Sequence, residues 1–238
     1  MTSASAQSRP VAACLVSLLA PLALILTAVR LLLTPCFLQV EYRLPGFPAD
    51  PYGLTQEERL RWAPLAVDYL VNAADIAFLA DQRFADGSPL YDARELQHME
   101  DVKALVGAAL RVWLGALAAL LGLALWAWRG GWWPTYRHAL GRGGWLTVGL
   151  LALLVAAAAV SFRPLFVLFH RLFFEGDSWL FDPSTTLIRL FPMRFWRDAF
   201  ALAGLLPLAG GLALGLWAGR SAGGGQNVRT GLRDADSP

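Results

Sequence analysis

The distribution of apolar residues constrains this chain more than any other feature. Hydrophobic residues make up 56% of its 238 positions and collect in four blocks, residues 11–33, 102–128, 145–162 and 199–219. A helix needs about 20 consecutive apolar residues to cross a bilayer core. Every block approaches or exceeds that length, and 145–162 is the shortest. The expected fold is all-α: a four-transmembrane-helix bundle with a mainly helical extracytoplasmic cap. The first block is longer than the roughly 7–15 residues of a signal-peptide core, and one charge, Arg9, precedes it. Leu33-Thr34-Pro35-Cys36 has the outline of a lipoprotein cleavage box, but proline directly before the cysteine is wrong for that, so the block reads as a permanent span.

Charge gives the orientation. Residues 129–144 carry Arg129, Arg137 and Arg142 and no acid, whereas residues 34–101 hold twelve Asp/Glu against five Arg. Short basic segments stay on the cytoplasmic side. The expected order is therefore a cytoplasmic tail 1–10, an outer cap 34–101, an inner loop 129–144, an outer aromatic interfacial segment 163–198 and a disordered cytoplasmic tail 220–238. Trp126, Trp128, Trp132, Trp133 and Trp145 fit an interfacial aromatic belt. A net charge of +2 with scattered basic residues points away from nucleic acid. Cys14 and Cys36 lie at opposite ends of the first span, too far apart for a disulfide. No residue spacing suggests a metal site, and no cofactor is implied.

Within the cap, residues 34–53 are proline-rich and expected to be irregular. Thr55-Gln56-Glu57-Glu58 is a capping box opening a short helix that ends near Pro64. From Leu65 to Ala80, Val67, Val71, Ala74 and Phe78 share one helical face and Asp68, Asn72 and Asp75 the other, which predicts an amphipathic helix. Asp86-Gly87 signals a turn. Asp92, with Glu95 three residues on, caps a helix expected to run unbroken from Ala93 into the second span. Phe166, Phe169, Phe173 and Phe174, flanked by Arg163 and Arg171, predict a helix at headgroup level.

Two histidines fall at the expected outer boundary. His98 sits between Glu95 and Asp101, either of which would orient its ring and raise the basicity of the free nitrogen. The plainer reading is a solvated histidine at a helix start. His170 lies in the aromatic segment, where an amphipathic belt residue is the plainer reading. Lys103 and Arg189 are placed to meet an anionic group or an oxyanion. Arg111, nine residues into the second span, is expected to face the bundle interior or a wet cavity. With Phe169, Phe173 and Trp179 it makes up the expected substrate-binding set. Cys36 has no base beside it, and His138 lies in the inner basic loop.

The strings Glu95-Leu96-x-His98-Met99-x-Asp101-Val102-Lys103 and Phe169-His170-x-Leu172-Phe173-Phe174 are followed by Trp179, Asp182-Pro183 and Leu187-Ile188-x-Leu190-Phe191-Pro192. This combination resembles the Lit-type lipoprotein intramolecular transacylases, a family of four-span bacterial membrane proteins with an outward-facing cap. The likeness spans about residues 11–219. It implies a cytoplasmic-membrane acyltransferase with its active site on the outer face. The implied reaction moves the sn-2 acyl chain of a diacylglyceryl lipoprotein to the α-amine of its N-terminal cysteine. His98 and His170 match the family's paired catalytic histidines, and the partners implied are diacylglyceryl lipoproteins and membrane lipid. Two other classes fit the residues alone: a non-catalytic lipid- or lipoprotein-binding membrane protein, and an acyl-group enzyme acting on free phospholipid.

Overall fold

The computed structural model describes residues 3–223, with side chains for residues 8–154, 156 and 160–220. Nine helices follow one another among them: α1 (Ser3–Leu32), α2 (Pro35–Glu41), α3 (Gln56–Val71), α4 (Ala77–Ala80), α5 (Ala93–Arg129), α6 (Trp133–Val160), α7 (Phe162–Phe173), α8 (Thr186–Leu190) and α9 (Met193–Gly223). No strand occurs among the described residues; an isolated antiparallel bridge, Arg83 with Pro89, closes the turn at Gly87, whose φ is +85°. Ser8–Leu32, Ala93–Arg129 and Met193–Arg220 are long and apolar enough to cross a membrane. The block at 145–162 falls largely in α6, where the side chains of Val155, Ala157, Ala158 and Ala159 lie outside the described residues. The expected disordered tail lies outside them from residue 224 onward.

The chain divides into two compact units, one of residues 28–112 and 156–203, the other of residues 1–27, 113–155 and 204–238. The second unit is held by close backbone approach. A Cβ on Gly144 would lie 2.5 Å from the Gly211 carbonyl, and one on Gly143 would lie 2.6 Å from Ala20 Cβ. Small residues of this kind let membrane helices pack closely where the hydrophobic effect offers no drive. Ser17 Oγ donates to the Ala139 carbonyl (3.0 Å), and Trp113 Nε1 donates to Thr27 Oγ1 (3.0 Å). The turn from α5 into α6 uses Gly131 at φ +68°. The expected inner loop is correspondingly short, because α6 already begins at Trp133.

The first unit has a core of aromatic and aliphatic side chains from α2, α3, α5, α8 and α9, including Leu38, Trp62, Tyr69, Met99, Leu190 and Phe195. Three expectations for it are corrected. Residues 35–41 are helical, with Pro35 in the first turn, where its missing N–H costs nothing. Helix α3 runs through Pro64 to Val71. Its buried residues Arg59, Trp62, Ala63, Ala66 and Val67 keep one helical stripe across the proline, so tertiary burial outweighs the lost hydrogen bond. The helix expected over 65–80 is broken at Asn72, whose side chain accepts the Ala74 N–H, and resumes only as α4. The capping box at Thr55 and Glu58 forms as expected, and α5 is unbroken from Ala93.

Candidate functional site

Helix α5 has 37 residues, far more than a bilayer crossing requires. Its first three turns, residues 93–103, carry Arg94, Glu95, Glu100, Asp101 and Lys103 and stand apart from the apolar stretch that follows. His98 is in this polar beginning. A reciprocal cap fixes the start of the helix: Asp92 N–H donates to Glu95 Oε2 and Glu95 N–H to Asp92 Oδ1, both at 2.8 Å. The other Glu95 oxygen accepts the Leu187 N–H at 2.7 Å, and Thr186 Oγ1 donates to the Leu90 carbonyl. Glu95 is 2% exposed and joins the first turn of α5 to α8. It makes no hydrogen bond to His98, contrary to expectation. Asp101 accepts instead from Gln97 Nε2 (3.3 Å) and reaches His98 only through its field, a minor pull on the imidazole.

His98 Nδ1 is buried with no hydrogen-bond partner among the described residues. Its ring packs on Phe174 (5.0 Å between centroids) and meets Phe181 edge-on (5.3 Å). Arg94 helps set Phe181 in place, donating to the Leu180 carbonyl (3.1 Å) with its guanidinium near the Phe181 ring. Removal from water holds the His98 imidazole down to about 4, and the nearby His170 adds to the effect.

His170 lies in the last turn of α7 and is 7% exposed. Its Nδ1 is 2.8 Å from the Phe166 carbonyl. A carbonyl only accepts, so Nδ1 carries the proton and Nε2 offers a lone pair. The ring is sandwiched among Phe166 (4.1 Å), Trp179 (4.7 Å) and Phe174 (5.6 Å). Burial lowers the His170 pKa, partly opposed by the bond to Phe166. Phe174 therefore touches both imidazoles, and both line one cavity of about 310 Å³. Nitrogen enters its lining side chains only at His98, His170, Trp179 and Trp196; the rest is aliphatic or aromatic, with Met99. Two neutral imidazoles on an apolar cavity suit proton transfer at a substrate with a long hydrocarbon part.

Of the expected substrate-binding residues, Phe169 and Trp179 line this cavity. Phe173 is 51% exposed and does not, and neither does Arg111, which is exposed on α5. Neither expected cation reaches the cavity. Lys103 Nζ donates to the Ala74 carbonyl (2.6 Å) and Asn72 Oδ1 (3.2 Å) and lies over the Tyr69 ring. Arg189 pairs with Asp50 at 2.9 Å and donates to the Tyr52 carbonyl. Both secure cap loops. Phe174, Phe181 and the Phe166 carbonyl were not singled out from sequence as site groups, although Phe166 and Phe174 lie in the aromatic run around His170.

The Lit family, described as lipoprotein intramolecular transacylase, matches residues 14–196. An uncharacterized protein of Aquifex aeolicus (strain VF5) is 27% identical over 190 residues, which cover 77% of this chain and 82% of that protein. The in meso structure of the membrane integral lipoprotein intramolecular transacylase Lit from Bacillus cereus matches with a TM-score of 0.72 at 20% identity, over 88% of this chain and 93% of that one. The same protein with one histidine replaced by arginine matches with a TM-score of 0.63 at 17% identity, over 94% and 96%. The fold is that of the Bacillus cereus protein, and by the family match across most of its length the chain belongs to the lipoprotein intramolecular transacylase family, as a membrane-integral acyltransferase.

Proposed function

We propose that the chain moves the sn-2 acyl chain of a diacylglyceryl lipoprotein to the α-amine of that lipoprotein's N-terminal cysteine, at the outer face of the bacterial cytoplasmic membrane, with His98 and His170 as its acid–base groups. The observation that carries this reading is the pair of neutral imidazoles on a single apolar cavity, both packed on Phe174.

The amine nitrogen attacks the ester carbonyl, a C–N bond forms and the C–O bond to glycerol breaks. The amine gives up a proton as it attacks, and the departing glycerol oxygen gains one. His170 Nε2 is the acceptor, since its Nδ1 proton is held by the Phe166 carbonyl. His98, also neutral, donates a ring N–H hydrogen bond toward the oxyanion, with Lys103 and Arg189 engaged elsewhere, and the proton taken up at His170 Nε2 passes to the departing glycerol oxygen, which returns His170 to its neutral form. The acyl chain lies among Phe37, Phe191, Phe195 and their neighbours on the cavity wall. Donor and acceptor belong to one molecule, so the rate benefits from holding two groups already tethered.

The test is fragmentation mass spectrometry of a reporter lipoprotein's N-terminal peptide, from a bacterium that makes only diacylglyceryl lipoproteins and expresses this chain. An N-acyl, monoacylglyceryl peptide of unchanged total mass, absent with His98→Ala or His170→Ala, is expected. An unmodified diacylglyceryl peptide with folded protein in the membrane overturns the reading.

A further inference from the structure

The unit formed by residues 1–27, 113–155 and 204–238 contains an open groove of about 520 Å³ that the acyl-transfer chemistry does not use. It runs between α1 and α6 and is lined by Pro10, Cys14 and Leu18 on one side and Arg142, Trp145 and Leu146 on the other. Its floor is firm: Ser17 Oγ bonds the Ala139 carbonyl at 3.0 Å, and Gly143 lies against the Ser17 backbone. The walls are apolar except for one guanidinium. Arg9 donates to the Gly130 carbonyl and Arg137 lies over the Trp217 ring, whereas Arg142 has neither a hydrogen bond nor an ion pair among the described residues. The described part of this unit holds Arg9, Arg129, Arg137, Arg142 and Arg220 and not one carboxylate.

We propose that this groove binds an anionic phospholipid, its phosphate on Arg142, its headgroup level with Trp145 and one acyl chain along Leu18 and Leu146. A guanidinium presents paired N–H donors that match phosphate oxygens. Indole rings prefer the headgroup level, and arginine reaches toward it from an apolar stem. A unit whose described part is rich in arginine and holds no carboxylate favours a lipid with net negative charge over a zwitterionic one.

Cys14 is exposed inside the groove and serves as its reporter once the chain's other cysteine is removed by Cys36→Ser. The protein is reconstituted in nanodiscs of phosphatidylcholine, with or without phosphatidylglycerol, and the rate of maleimide labelling at Cys14 is measured. Phosphatidylglycerol is expected to slow labelling about fivefold, the contribution of one arginine near a charged bilayer, and Arg142→Gln to abolish the difference. The transfer activity of Arg142→Gln, which is remote in sequence from both histidines, reports that the variant is folded. Equal labelling with both lipids, or equal protection in Arg142→Gln, overturns the proposal; so does the same protection from inorganic phosphate alone. Native mass spectrometry of the unsubstituted protein is the second measurement. Preferential retention of phosphatidylglycerol is expected, and indiscriminate retention counts against the site.

Discussion

Each of the two units is held together internally, and by opposite means. In the unit of residues 1–27, 113–155 and 204–238, helices meet through glycine and alanine, and backbone lies against backbone at Gly144 and Gly211. In the unit of residues 28–112 and 156–203, polar side chains reach across long sequence separations to hold loops and short helices. Examples are Glu95 on the Leu187 N–H, Arg59 on the Pro48 and Arg189 carbonyls, and Tyr42 on the Leu190 carbonyl. Packing of the first kind tolerates almost no added atom. Interactions of the second kind need a specific functional group at a specific place. The candidate catalytic histidines sit in the second kind of structure, where each ring is surrounded by aromatic neighbours and kept neutral by removal from water.

The largest expected effect is chemical. His170→Ala should lower the transfer rate, measured on the folded fraction, about 10²–10⁴-fold, the range for loss of a positioned acid or base, well beyond any loss of stability from the vacated space among Phe166, Trp179 and Phe174. A rate within threefold of the parent would remove His170 from the mechanism.

Next come the contrasts within the small-residue unit. Gly144→Ala should destabilise by about 1–3 kcal/mol or more, since its Cβ would meet the Gly211 carbonyl at 2.5 Å, backbone that cannot yield as a side chain does. Gly149→Ala in the same helix meets nothing within 4 Å and should be neutral or mildly stabilising. Thermal unfolding in detergent separates the two. Equal midpoints would mean that close approach is not what holds this unit.

Glu95→Gln is the matching test in the other unit. Both carboxylate oxygens accept backbone N–H groups, and the amide would turn a donor toward one of them. A loss of about 1–3 kcal/mol is expected, the cost of a buried donor left without its acceptor. Transfer activity should fall with the folded fraction and no further, because Glu95 joins α8 to α5 and makes no hydrogen bond to His98. A collapse in activity at full stability would return Glu95 to the role of orienting that ring.

These contrasts explain which parts were legible in sequence. Both capping boxes and the unbroken α5 rest on local patterns, and they appear in the fold where expected. The pairing of the histidines on one cavity came from family resemblance, and residue periodicity alone would not have supplied it. What escaped depends on tertiary partners. Pro64 reads as a helix end until the stripe from Arg59 to Val67 is seen to be buried as one face. Lys103 and Arg189 read as free cations until Ala74 and Asp50 are found beside them. Arg111 reads as a group for the bundle interior or a wet cavity because a charge in an apolar helix is costly, and the fold leaves its side chain exposed.

The pH dependence of stability gives a smaller effect with a definite sign. His98 is held at about 4 in the folded protein, against an ordinary 6.5. Between those values the unfolded chain binds a proton that the folded chain refuses, so stability falls as pH falls from about 6.5 toward 4. His98→Asn should remove that component, narrowing the loss between pH 7 and pH 4.5 by about 1–3 kcal/mol relative to the parent. Identical pH profiles for the two proteins would show that the ring is not shielded from water.

The smallest effect on catalysis is expected at Lys103, where sequence and structure disagree most directly. Removing an oxyanion donor typically lowers kcat about 10²–10³-fold. Lys103 Nζ is instead bonded to the Ala74 carbonyl and Asn72, with the Tyr69 ring 3.9 Å away, so it secures the turn between α3 and α4. Lys103→Met should therefore lower the thermal midpoint and leave kcat, measured on the folded fraction, within about threefold of the parent, well short of the loss of an oxyanion donor. The split between the two readouts is decisive. A charge that stabilises the transition state shows itself in kcat at full stability, and a charge that anchors a loop shows itself in stability at full kcat.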